Sequence, residues 1–236
     1  MTRPAIGTIL PSSNRMVERV LTALMAHFPG VDSCVARIPY FGQGQGQPAD
    51  AYDTASFEAA ARLLSHAAVG VVCWNGTRGA ALGLEHDRAL AAAMAAAAGC
   101  PATTTALETA RLLERLGVRR IGLVAQGPLE EAAAHAAGLP AETVGLRGLG
   151  IRNNAEASAV DPATLAALAR EVAPGAEAVL LWSTNLPGLG LMAGLEAELG
   201  IPVLDSAAIG VRACLAAVGV DPRAAAGFGR LFSLPG

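Results

Sequence analysis

The chain of 236 residues contains no lysine; all 17 of its basic residues are arginine. That removes chemistry built on a side-chain amine, such as Schiff-base formation and the P-loop cradle for nucleotide phosphates. The arginine-only set, with its Ala and Gly excess, also fits coding in a GC-rich genome. Aromatic residues make up 4% of a chain that is 53% hydrophobic, so the core must be built mostly from Ala, Leu and Val. Cys34, Cys73, Cys100 and Cys214 are scattered without CxxC spacing, which argues against a zinc knuckle or a disulfide framework, and no metal site is expected. No apolar run approaches the ~20 residues of a membrane span. The longest candidate, Ala89–Ala98, is an Ala-rich helix that starts among charges. The N-terminal "MTRPAIGTIL" enters a strand pattern at once and lacks a signal peptide's h-region and cleavage site. Net charge is −3, with no basic tail and no interleaved arginine and aromatic residues. Nucleic acid and membrane are therefore not expected partners, and the expected setting is the cytoplasm.

What is present is an alternation of short apolar runs with longer Ala/Leu/Glu/Arg segments, the pattern of parallel strands joined by helices. Strands are expected near Ala5–Leu10, Ser33–Arg37, Gly70–Trp74, Pro101–Thr104, Arg120–Ala125, Glu142–Leu146, Ala178–Trp182 and Pro202–Asp205. Helices are expected near Arg15–His27, Asp53–His66, Leu84–Ala98, Ala106–Leu116, Leu129–Ala137, Pro162–Ala173, Gly188–Leu199 and Ala207–Val218. In "VDPATLAALAREV", Asp161 reads as an N-cap and Pro162 as the first helical residue.

The two halves repeat. "AIGTILPSSNRMVE" corresponds to "RIGLVAQGPLEEA", "VVCWNGT" to "VLLWSTN", and "AAGCPATTTALETARLLERLGV" to "ELGIPVLDSAAIGVRACLAAVGV". The expected architecture is α/β: two pseudo-symmetric four-stranded parallel-sheet lobes. The first would comprise 1–104 plus 207–236 and the second 105–206. Ligands of such sheets bind beyond the carboxyl ends of the strands, so the site is expected in the cleft between lobes. Its lining would come from "PSSN" (11–14), "NGTRG" (75–79), "QGP" (126–128) and "STN" (183–185), with "TTT" (103–105) and "DSA" (205–207) close behind. The segment Tyr40–Asp50 reads as a loop over the cleft.

These tips carry Ser, Thr, Asn and Gly at helix N-termini, where free N–H groups and the macrodipole favour an anion. A carboxylate is the simplest ligand. Arg78 reads either as added positive charge or as a surface residue. The glycines from Gly42 to Gly46 do not stand between the first strand and its helix, so a dinucleotide loop is not indicated. His27, His66, His86 and His135 fall on expected helices away from the tips and read as surface residues. Asp205 alone puts a carboxylate at a strand end, where it reads equally as the cap of the next helix. Trp74 and Trp182 look symmetrically placed, as pocket walls or as core.

"IGTILPSSNRMVE", "NGTRG", "STN", "GIPVLDSAAIGVRACL" and "GFGRLF" resemble the Asp/Glu racemase superfamily, nearly end to end. Within it they are most similar to the maleate cis–trans isomerase and arylmalonate decarboxylase branch. The resemblance implies a cofactor-independent enzyme on a small carboxylic acid, as a monomer or small homo-oligomer. It also implies two catalytic slots, Gly76 and Ser183, where the family's racemases and isomerases carry cysteines and its decarboxylases only the second. Pro11, Asn14, Thr77, Arg78, Gln126, Gly127, Thr184 and Asn185 are the expected substrate-binding residues. A hydroxyl is a far weaker acid than a thiol of pKa ~8.5, so two-base racemisation and Cys-addition isomerisation lose most by the replacement. Decarboxylation through an enediolate loses least, with Ser183 or a water it orients returning the proton. A silent carboxylate binder and a Ser-based hydrolase of a cyclic amide are the remaining alternatives. Cys73, inside its strand and on the face opposite Gly76, reads as a buried structural thiol.

Overall fold

A computed structural model describes residues 3–41 and 45–234. Positions 42–44 of the expected loop lie outside the described residues. The eight strands form two four-stranded parallel sheets of identical order. The first runs β2 (Asp32–Ile38), β1 (Ala5–Pro11), β3 (Val71–Trp74), β4 (Ala102–Thr104). The second runs β6 (Glu142–Gly148), β5 (Arg120–Ala125), β7 (Ala178–Trp182), β8 (Val203–Asp205). The eight expected strands and eight longer helices are all there, with ends displaced by a few residues at most. The helices are α1 (Met16–Met25), α2 (Thr54–Ser65), α4 (Leu84–Ala98), α5 (Thr105–Leu116), α6 (Leu129–Ala137), α8 (Pro162–Val172), α9 (Met192–Leu199) and α10 (Ser206–Ala217). The short helices α3 (Gly79–Leu82), α7 (Asn154–Ala157) and α11 (Arg230–Ser233) were not anticipated, because four residues are too few to show a helical period.

Local chemistry sets the helix ends. Asp161 Oδ2 accepts from the Thr164 amide at 3.2 Å, with Pro162 first in the helix as expected. The repeated Gly-x-Pro junctions close α4 and α9 with Gly99 and Gly200 at φ 69° and 75°, left-handed conformations that a glycine adopts without strain. At the next turn of the repeat, Thr104 caps α5 through the Leu107 amide (3.1 Å) and Asp205 caps α10 through the Ala208 amide (2.8 Å).

Each sheet buries one face against its own outer helices. Ile9, Val72 and Trp74 pack on Phe57 and Met94 in one lobe, and Val124, Val179 and Leu181 pack on Leu165 and Ala169 in the other. The inner faces meet in a shared core: Ile6, Val71 and Cys73 join Ile121, Leu123 and Leu180 through helices α1, α5, α6 and α10. Helix α10, which follows the second sheet, packs on α1, α5 and β3. No helix among the described residues is long and apolar enough to cross a membrane.

The ladders correct one reading of the repeat. Ile6 pairs with Val71, and its Ile-Gly counterpart Ile121 pairs with Ala178. Counting on from there, Trp74 matches Leu181, Trp182 matches Asn75, and Gly76 matches Ser183. The two tryptophans are one residue out of register. Because side chains alternate along a strand, that single step puts Trp74 on the outer face of its sheet and Trp182 in the shared core.

Candidate active site

A cleft of about 500 Å³ opens between the carboxyl ends of the two sheets. Nine of the ten residues expected at the site line it: Pro11, Gly76, Thr77, Arg78, Gln126, Gly127, Ser183, Thr184 and Asn185. The tenth, Asn14, does not. It is fully buried behind the wall, and every polar atom of its amide is engaged. Its Nδ2 donates to Thr184 O (3.2 Å) and Thr184 Oγ1 (3.0 Å), and its Oδ1 accepts from the Val17 amide (2.9 Å). Asn14 thus clasps the first lobe to the second lobe's tip and holds the first turn of α1 through the Val17 amide. Tyr40, Pro48 and Ala49 line the cleft from the loop side, as the sequence led one to expect of this segment.

In the second lobe, β7 ends at Trp182 and delivers Ser183 to the floor. Ser183 Oγ donates to Gln126 Oε1 (2.7 Å) and accepts from the Asn185 amide (3.1 Å). Gln126 Nε2 donates to Asn154 Oδ1 (3.1 Å), Asn154 Nδ2 to Ser13 Oγ (2.8 Å), and Ser13 Oγ to Tyr40 O (2.8 Å). The chain runs in one direction from the floor to the loop. Gln126 is an amide and not a base, so it orients the Ser183 hydroxyl without ionising it.

The first lobe's tip is built around the absence of a side chain. A Cβ on Gly76 would stand 2.4 Å from the Trp74 indole, so the ring occupies the space that any larger residue would need. Gly76 donates to Trp74 O (3.0 Å), but among the described residues the amides of Thr77 and Thr184 give no hydrogen bond. These two are register counterparts, one from each lobe, and both line the cleft.

Histidine and carboxylate placement differs from the sequence reading. His27, His66 and His86 are not among the lining residues, but His135 is. Helix α6 packs against α3, and Glu131, Ala134 and His135 fall on one helical face turned to the cleft. That spacing is the signal in the sequence that would have found them. Burial lowers the His135 pKa to about 4, against the pull of the Thr77 backbone, so the ring is neutral at pH 7. Its Nδ1 is buried with no partner among the described residues, and its ring meets Trp182 edge-on at 6.2 Å. Asp205 is fully buried beneath the floor. Burial raises its pKa to about 7, while the amides of Ala208, Ala207 and Gly188 favour the charged form. Asp87 is likewise buried and raised by desolvation, holding Tyr52 Oη (2.7 Å) and Thr104 Oγ1. Among the described residues no cysteine lines the cleft. Cys73 is buried against Cys214, and that contact together with desolvation pushes its thiol well up, consistent with a structural role.

The sequence model of the arylmalonate decarboxylase family matches residues 48–232. An arylmalonate decarboxylase from Bordetella bronchiseptica is 32% identical over 243 residues, covering 97% of this chain and 96% of that protein. The chain belongs to the arylmalonate decarboxylase family. Among solved structures, a doubly substituted arylmalonate decarboxylase in its liganded form superposes with a TM-score of 0.85 at 29% identity, covering 97% of this chain and 98% of the other. A substituted maleate isomerase from Pseudomonas putida, crystallised with maleate, superposes with a TM-score of 0.84 at 20% identity, covering 98% and 97%. The arylmalonate decarboxylases and the isomerase share this two-sheet α/β fold.

Proposed function

We propose that this chain is a cofactor-independent lyase that removes one carboxylate from a small malonate-type diacid. The observation that carries the reading, beside family membership, is the pair of unengaged amides at Thr77 and Thr184. They stand on opposite lobes of a cleft that tryptophans help to wall. When the bond to the departing carboxylate breaks, its electron pair moves into the remaining carboxylate as an enediolate and CO2 leaves. Charge then develops on the enediolate oxygens, where fixed donors in a water-poor site are most effective. The Thr77 hydroxyl and the Thr77 and Thr184 amides supply them. The proton returns to carbon from Ser183 Oγ or from a water hydrogen-bonded to it, and solvent restores the serine. The glycine at position 76 lets the Trp74 indole close against the backbone as a wall of the cleft, and Gln126 and Asn185 hold Ser183.

The absence of a thiol from the cleft wall favours a second reading, a small-carboxylate binder without turnover. An isomerase or racemase of the same superfamily would need an acid–base pair, for which His135 and Ser183 are the available groups. Proton NMR in D2O with aryl- and alkylmalonates, maleate, aspartate and glutamate separates the three. Conversion of a malonate signal to an α-deuterated monoacid supports the lyase; C–H exchange without net product supports a racemase, and maleate converting to fumarate an isomerase. A raised Tm with no chemistry would leave the binder.

A further inference from the structure

Arg78 is the feature of the cleft that decarboxylation alone does not explain. Its guanidinium lies 5.7 Å from the ring centres of both Tyr40 and Tyr52. Its Nη2 donates to Pro48 O and to Ala49 O (2.9 Å), so the head group is fixed against the loop wall. Its Nη1 is buried and has no hydrogen-bond partner among the described residues. No carboxylate among the described residues lies within ion-pair distance of it. Glu131, the acidic residue in the lining, is paired with Arg152 at 2.8 Å, and Asp87 is held by Tyr52 and Thr104. A buried guanidinium N–H without an acceptor costs stability, and a cleft that keeps one is set to receive an anion.

That anion is not the departing carboxylate. Pairing it with arginine would stabilise the ground state that must be left, and would oppose the loss of CO2. Arg78 is anchored on the loop wall by Pro48 and Ala49, whereas Ser183 and Gln126 stand on the second lobe. We infer that Arg78 is a specificity-determining residue whose free Nη1 binds a third, non-reacting carboxylate, so that the preferred substrates are malonates bearing an acidic side chain and not purely aryl or alkyl ones. This inference rests on the malonate reading of the cleft.

Matched probes test it. Propylmalonate and propane-1,1,3-tricarboxylate differ at the end of the side chain, a methyl in one and a carboxylate in the other. Calorimetric Kd values are measured for both, on the parent protein and on Arg78→Gln and Arg78→Lys, with CO2 release followed in parallel. The parent is expected to bind the triacid ~10–100-fold more tightly, as charge-assisted hydrogen bonds do. Arg78→Gln should bring that ratio close to one by weakening the triacid far more than propylmalonate, and Arg78→Lys should keep part of the preference. In the parent the preference should also shrink as salt rises, a readout that needs no variant. Equal weakening of both probes in Arg78→Gln would mean that Arg78 holds a reacting carboxylate, and would overturn the inference. So would a preference that survives Arg78→Gln, or the lack of one in the parent. A preference without CO2 release would sink the lyase reading and leave the subsite standing; CO2 release without a preference does the converse.

Discussion

The two lobes share strand order, helix caps and Gly-x-Pro junctions, yet differ where the chemistry is placed. Gly76 and Ser183 occupy one register position. In the first lobe that position is closed to side chains by an indole from its own strand; in the second it carries a hydroxyl held by three neighbouring polar groups. Symmetric folds thus leave asymmetric sites: one tip supplies an aromatic wall and a backbone donor, the other an oriented O–H. The same holds one layer below, where the Thr104 hydroxyl caps α5 and the Asp205 carboxyl caps α10.

The sharpest way to break the comparison is to put a methyl on each side of it. Gly76→Ala should lower stability by about 3 kcal/mol, because the Trp74 ring is packed and cannot yield, and should remove activity. The counterpart Ser183→Ala should lower stability by only about 1 kcal/mol, the value of one hydrogen bond. Thermal melts of the pair check this, and similar losses would show that the ring at Gly76 is mobile. Next, Asn14→Ala severs the clasp between the first lobe and the Thr184 tip and leaves Thr184 and the Val17 amide unserved. A loss of about 2 kcal/mol is expected, with kcat falling more than KM rises.

Ser183→Cys sharpens the contrast in the other direction. If Ser183 returns the proton, the more acidic thiol should raise deuterated monoacid formation at least ~tenfold at pH 8. An unchanged rate would place the proton source elsewhere, with His135 the next candidate.

The smallest effects concern pH, and two desolvated groups, buried Asp205 and half-buried His135, pull in opposite senses. Asp205, raised to about 7 from 3.8, contributes stability that is full below pH 3.8 and is lost as pH rises to about 7. His135, lowered to about 4 from 6.5, contributes stability that is full above pH 6.5 and is lost as pH falls towards 4. The parent's Tm should therefore vary little between pH 4 and 6.5. Asp205→Asn, which still caps α10, should gain on the parent by about 1 kcal/mol at pH 8 and show Tm rising with pH below it. His135→Gln should show the reverse slope, and flat profiles in both variants would remove the buried-charge account.

Most of the architecture was legible in the chain, because strand and helix periods, caps and Gly-x-Pro junctions are local signals repeated twice. The four tips were legible for the same reason: each follows a readable strand. What escaped was set by packing between elements. Asn14 looked like a ligand residue until α1 and the Thr184 tip absorbed its amide. His135 looked exposed because the face of α6 that meets α3 and the cleft is chosen by the other lobe. The tryptophans looked equivalent because large residues dominate a visual match, while ladder pairing obeys the backbone.

The contact between Trp74 and Gly76 also orders the mutational paths open to this fold. A side chain at 76 is tolerated only after the indole at 74 has given way, and loss of the indole alone leaves a cavity in the outer core of the first lobe. Each substitution is harmful without the other, so the two positions must change together or in a fixed sequence through a weakened intermediate. Ser183 carries a side chain already, held by Gln126 and Asn185 and with no aromatic ring filling its Cβ position. Variation at this register position is therefore obstructed on the first lobe by a ring that the second lobe does not place there.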